Sequence, residues 1–195
     1  MEVRRRTRND DEDPTVYLRV VLADGKPQEI DLDAGAHELL WAPDSRAFFV
    51  NGGESAYAGF FVSLYKIENN QVSKIKISAS AQRDMVTSFP PCKASNRDET
   101  LCAKIAKDPE YNMSGLAWAD GSSSVIVMAE VPCSSYYGGI MCQVLGYKLD
   151  ALTGKILQRM TARELKSRWQ HAMAWQLRIP SPPIYGPPLR EATKP

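Results

Sequence analysis

Glu54, Tyr57, Tyr136 and Tyr137 are the side chains whose types and surroundings come nearest to a binding chemistry. They sit in two loops, Asn51-Gly52-Gly53-Glu54-Ser55-Ala56-Tyr57-Ala58-Gly59 and Pro132-Cys133-Ser134-Ser135-Tyr136-Tyr137-Gly138-Gly139. Gly and Ser give adaptable hydrogen bonding, and Tyr gives rigid amphipathic area, the combination used by recognition loops. The plainer reading is a pair of strand crossovers whose Tyr rings pack on neighbouring strands. Glu54 and Glu130 each end the second strand of a repeat and could face each other, as could Asp44 and Asp120 at the turns. A carboxylate pair at a suitable separation hydrolyses glycosidic bonds. Chain spacing does not supply that separation, so solvated loop acids are the plainer reading here too.

Other reaction chemistries find little support. His37 and His171 have no Gly-x-Ser-x-Gly elbow to serve, and no phosphate-cradling Gly-rich loop precedes a helix. No catalytic residue, metal site or cofactor is assigned. The four cysteines fall as Cys92 with Cys102 and Cys133 with Cys142, each pair flanking a short loop. Neither pair has the two-residue spacing of a zinc knuckle or redox dithiol. Two local disulfides are expected, ahead of buried thiols and of a metal or catalytic thiol. Each would restrict the unfolded chain by roughly 2–3 kcal/mol in the loop-entropy account. Disulfides belong to oxidising compartments. The expectation is therefore an extracytoplasmic protein, periplasmic or secreted, whose leader is absent from this sequence.

The 195 residues carry a net charge of +1, with 44% apolar and 24% charged side chains. That balance is ordinary for a globular protein and gives no field for nucleic acid or an anionic membrane. No apolar run approaches the roughly 18 residues of a membrane span.

The elements that must position the loops are mostly strands. Residues 1–14 read as a disordered charged arm, with Arg4, Arg5, Arg6 and Arg8 followed by Asp10, Asp11, Glu12 and Asp13. Val16, Leu18, Val20 and Leu22 alternate with outward residues, and Asp24-Gly25 turns the chain towards Ile30 and Leu32. Leu39-Leu40-Trp41 is a short strand, and Phe48-Phe49-Val50 reads as one buried on both faces. Residues 59–67 and 72–77 form a hairpin around Asn69-Asn70, both tolerant of positive φ. Residues 84–91 read as irregular, and a short central helix is expected to start at Ser95 and stop before Pro109. Residues 115–118 and 125–131 are strands, and 142–149 with 155–160 form a hairpin closed by Asp150-Ala151-Leu152-Thr153-Gly154. Thr161 and Glu164 make a capping box for a helix over 161–177. Five prolines between Pro180 and Pro188 make residues 179–195 an extended tail, a linker or a docking ligand for a partner's groove.

The stretch Trp41-Ala42-Pro43-Asp44-Ser45-Arg46, followed by Phe48-Phe49-Val50 and later by Leu64-Tyr65-Lys66-Ile67, resembles the β-propeller blades of TolB-like and WD-type repeats. A second copy keeps Trp118, Asp120-Gly121 and Tyr147-Lys148-Leu149 but lacks the Pro. The resemblance implies β-meander blades and no particular activity. Two copies cannot close a ring. The expected fold is mainly β: two antiparallel blade-like β-meander sheets, a short central helix and a C-terminal helix, not a closed propeller. The expected organisation is one globular domain over 15–178, with repeat 1 at about 15–80, a connector at 81–112, repeat 2 at about 113–160 and the C-terminal helix at 161–177. The functional expectation is a non-catalytic binding module for a protein or glycan ligand. It would use Glu54, Tyr57, Tyr136 and Tyr137 on one rim, with no nucleic acid partner and no membrane span. The alternatives are a hydrolase using loop carboxylates and a structural subunit completed by self-association as a homodimer.

Overall fold

A computed structural model describes residues 2–6, 15–32, 38–53, 59–90, 111–133 and 139–169. More than half of these described residues lie in three antiparallel sheets. The first has the order β1-β2-β3, with β1 (Glu2–Arg6), β2 (Thr15–Val21) and β3 (Pro27–Leu32). The second is a meander of β4 (Glu38–Trp41), β5 (Ala47–Gly53), β6 (Phe60–Glu68) and β7 (Gln71–Ile75). The third repeats that order with β8 (Asn112–Ala119), β9 (Ser124–Glu130), β10 (Val144–Asp150) and β11 (Ile156–Thr161). Both meanders are the expected ones, and among the described residues the sheets close into neither a barrel nor a propeller.

The two meanders share local chemistry. Trp41 pairs with Phe48 across β4 and β5, and Trp118 pairs with Val125 across β8 and β9. The turn between them uses Ser45 at φ 58° in one copy and Asp120, Gly121 and Ser122 at positive φ in the other. Asn69 and Asn70, at φ 51° and 57°, join β6 to β7. Two successive positive φ values match the right-handed twist of the flanking strands, which is why a two-residue turn suffices.

The sheets stack as layers, with the second in the middle. Alternation along β5 sends Phe48 and Val50 towards the first sheet, where they meet Leu18, Val20, Leu22 and Leu32. Phe49, Val62 and Leu64 point the other way, towards Val125, Val127, Tyr147 and Leu149 of the third sheet. The unbroken apolar run Phe48-Phe49-Val50 follows from burial on both faces. Gly115 admits the Phe49 ring: a Cβ there would lie 2.7 Å from Phe49 Cε2. The outer face of the third sheet, with Leu116, Ile126, Met128 and Met160, is covered by Leu165 of α2 (Ala162–Trp169). The Thr161 cap is made as expected: Glu164 N–H donates to Thr161 Oγ1 at 3.2 Å, and Thr161 N–H donates to Glu164 Oε2 at 2.7 Å.

Side-chain amides tie the layers together. Asn51 of β5 donates to the Gly115 carbonyl at 2.7 Å and accepts from Gly115 N–H at 2.7 Å. Gln28 of β3 does the same to β7, accepting from Val72 N–H at 2.9 Å and donating to its carbonyl at 3.3 Å. β8 and β7 are edge strands of their sheets. Each amide therefore imitates a strand neighbour and satisfies backbone groups that would otherwise invite a foreign strand.

The structure departs from the sequence reading in three places. Residues 15–32 form a separate sheet rather than the start of a blade, and Glu2–Arg6, read as part of a free arm, pairs with β2 as β1. Residues 7–14 lie outside the described residues. Residues 79–88, partly read as irregular, form α1 (Ala79–Ser88), which buries Ala81 and Met85 one turn apart. The central helix expected from Ser95, residues 170–177 of the last helix and the Pro-rich tail all lie outside the described residues.

Candidate binding rim

β5 and β9 are the second strands of the two meanders, and each runs to the base of one of the Tyr/Gly loops. Those bases meet. Phe60, first residue of β6, donates its N–H to Asn112 Oδ1 at 3.3 Å. Asn112 in turn opposes Glu130 in the β8–β9 register and donates from Nδ2 to Glu130 Oε2 at 3.3 Å. Buried Asn112 thus joins the end of the second sheet to the end of the third.

The first loop is shorter than its composition implies. Asn51, Gly52 and Gly53 belong to β5, opposite Val62, Phe61 and Phe60. A Cβ on Gly52 would lie 2.4 Å from the Phe61 ring, and one on Gly53 2.7 Å from the Phe60 ring. These glycines make room for cross-strand aromatic rings lying over the backbone. The second loop is braced at its base by a Cys133–Cys142 disulfide, with Cα atoms 4.6 Å apart. Val131 N–H donates to the Gln143 carbonyl, and Cys142 N–H donates to the Val131 carbonyl, both at 2.9 Å. Glu54, Tyr57, Tyr136 and Tyr137 themselves lie outside the described residues, as do Cys92, Cys102, His37 and His171.

Glu130 is the distinctive charged group of this end. Burial pushes its carboxyl above the usual carboxylate range, and the Asn112 amide offsets part of that rise. The Cys133 sulfur lies 3.5 Å from Oε1. A half-buried carboxyl of raised proton affinity beside loop bases can accept or donate a hydrogen bond to a ligand according to pH.

The acids at the opposite end serve the turns. Asp120 binds Lys148 Nζ at 2.5 Å and accepts from Ser124 Oγ at 2.9 Å. Lys148 first, then Ser124, holds its carboxyl below the ordinary range. Asp44 accepts from Arg46 N–H at 3.0 Å, and its own N–H donates to Ser122 Oγ at 3.3 Å, so the two turns touch. Trp41 packs on Phe48 with centroids 5.0 Å apart and Trp118 on Phe49 at 5.8 Å. Both indoles anchor sheet interfaces, as their recurrence at strand ends implied.

Sequence reading passed over Asn51 and Asn112. The available signal was an amide embedded in, or opening, an otherwise apolar strand, a place where an unpaired polar group is costly. Among the described residues, no group of three or more His, Cys, Asp or Glu side chains could hold a metal ion. No described helix is long and apolar enough to cross a membrane. No protein-family model, curated protein or solved structure matches this chain.

Proposed function

We propose that this chain is a non-catalytic binding module that works outside the cytoplasm, in the periplasm or after secretion. It engages a protein or glycan ligand through the rim where the two Tyr/Gly loops leave the second and third sheets. The observation that carries this reading is the Phe60 N–H bond to Asn112 Oδ1, which sets the two loop bases side by side. Loops carried on rigid strands are the usual carriers of recognition, and in this reading Tyr57, Tyr136 and Tyr137 supply the aromatic contacts to the ligand. The Cys133–Cys142 link supports an oxidising compartment. Kinship with propeller blades belongs to the same reading. Its support is two meanders of the same strand order, stacked face to face with Trp at matching strand ends.

A glycan array and an array of extracellular peptides, probed with the full chain, test the proposal. Retention on a defined probe that is lost in the triple variant Tyr57→Ala, Tyr136→Ala, Tyr137→Ala, with circular dichroism unchanged, supports it. Equal retention by that variant overturns it. The raised proton affinity of Glu130 favours one second reading, a hydrolase with Glu130 as general acid. Turnover of p-nitrophenyl glycosides that disappears in Glu130→Gln would replace binding with hydrolysis.

A further inference from the structure

A concave surface lies at the other end of the third sheet, about 20 Å from Glu130 along the seven residues of β9. It is a cleft of about 420 Å³ between the β7–α1 connection, the start of α1 and the β10–β11 turn. Three cations line it, Lys76, Arg83 and Lys155, and no carboxylate does. None of the three forms an ion pair with a described residue, and the first turn of α1 adds no acidic side chain. Asp150 is the carboxylate nearest in sequence. Its carboxylate is occupied by its own turn, accepting from the Thr153 hydroxyl and from the N–H groups of Thr153 and Leu152; the Thr153 hydroxyl first, and Lys155 last, lower its proton affinity.

The walls of the cleft are fixed by neutral contacts. Ser80 Oγ donates to the Gly154 carbonyl. Gly154, at φ 68°, lies so close to Ile77 that a Cβ would sit 2.8 Å from the Ile77 carbonyl oxygen. The turn and the helix are thus pinned together without using any of the three charges. Three like charges lining one cleft repel one another, and a multivalent anion relieves that repulsion. One guanidinium and two ammonium groups supply the positive charge and the N–H donors that a tetrahedral oxyanion takes up.

We propose that Lys76, Arg83 and Lys155 form a binding site for the phosphate or sulfate group of a small ligand. The site is independent of the loop rim. Calorimetric titration of the full chain at constant ionic strength with phosphoserine, tyrosine sulfate and chloride tests it. Saturable one-to-one binding of either ester, weakened at least tenfold in Arg83→Ala/Lys155→Ala and partly restored in Arg83→Lys/Lys155→Arg, supports the site. The ester that binds identifies the source. A phosphate ester should bind more weakly at pH 5.5 than at pH 7.5, since its second ionisation lies near pH 6, whereas a sulfate ester should be unaffected. No saturable heat with either ester, equal affinity in the alanine variant, or equal competition by chloride overturns it. All three side chains are exposed, so the variants should keep the wild-type circular dichroism.

Discussion

Replacing Asn51 should separate the second and third sheets more effectively than removing an apolar side chain of similar size at the surface. The Asn51 amide is 4% exposed and makes three hydrogen bonds, two to Gly115 at 2.7 Å and one to Glu38 Oε2 at 2.9 Å. Because β8 is an edge strand, the Gly115 N–H and C=O that meet Asn51 face away from β9 and have no strand neighbour. Asn51→Leu keeps the volume, leaves little room for a substituting water, and strands both backbone groups. An orphaned buried polar group costs about 1–3 kcal/mol, so two of them with partial relaxation give a loss of about 2–4 kcal/mol. Asn51→Asp should cost at least as much, since it retains an acceptor for Gly115 N–H but turns a carboxylate on the Gly115 carbonyl and on Glu38. The measurement is urea unfolding followed by tryptophan fluorescence, with Trp41 and Trp118 reporting on the two meanders. With a urea slope of about 2 kcal/mol/M, the midpoint should fall by about 1–2 M. A loss below about 1 kcal/mol in Asn51→Leu, with the slope unchanged, would refute the claim that this amide acts as a mock strand neighbour.

Three further outcomes follow from the same geometry. Gly115→Ala places a Cβ 2.7 Å from the buried Phe49 ring and should destabilise by about 1–3 kcal/mol, while the double variant Gly115→Ala/Phe49→Leu should recover part of the loss in the same urea assay. Cys133→Ser/Cys142→Ser opens a loop of sequence separation 9 and should cost roughly 2–3 kcal/mol, with wild type in excess reductant showing the same loss. Glu130, whose folded proton affinity burial raises above the ordinary glutamate value, contributes stability below that ordinary value and loses it as pH rises through the folded value; Glu130→Gln should flatten that decline in a stability–pH profile, and an unchanged slope would show that Glu130 is not responsible.

Much of the β architecture was legible because it depends on local rules. Asn69-Asn70 announces a tight hairpin, since both residues tolerate the left-handed backbone they adopt. The seven-residue step from Trp41 to Phe48 and from Trp118 to Val125 marks equivalent cross-strand pairs. Thr161 and Glu164 announce a helix start through a hydrogen-bond pair that needs no tertiary partner. α1 was not legible in this way. Its segment mixes Ser, Thr, Arg and Asp with only Ala81 and Met85 fully buried, too weak an apolar stripe to stand out. Its position is secured by tertiary bonds instead. The Tyr147 hydroxyl donates to Asp84 at 2.7 Å, and Arg159 Nε lies 3.1 Å from the same carboxylate. Burial first, then Asp84, raises the proton affinity of that phenol, so it stays a donor.

Residue order alone decided where the strands of the two meanders run and turn, and that both carry Trp at matching ends, because turn chemistry and two-residue alternation act over neighbouring residues. Only the folded chain decided that the second sheet lies between the other two, that Asn51 and Gln28 close exposed strand edges, and that Phe60, Asn112 and Glu130 meet at one end. Those contacts join residues 44 to 64 positions apart for the amides and 52 for Phe60 with Asn112. Their partners are chosen by which apolar faces bury each other, a choice that alternation within one strand leaves open.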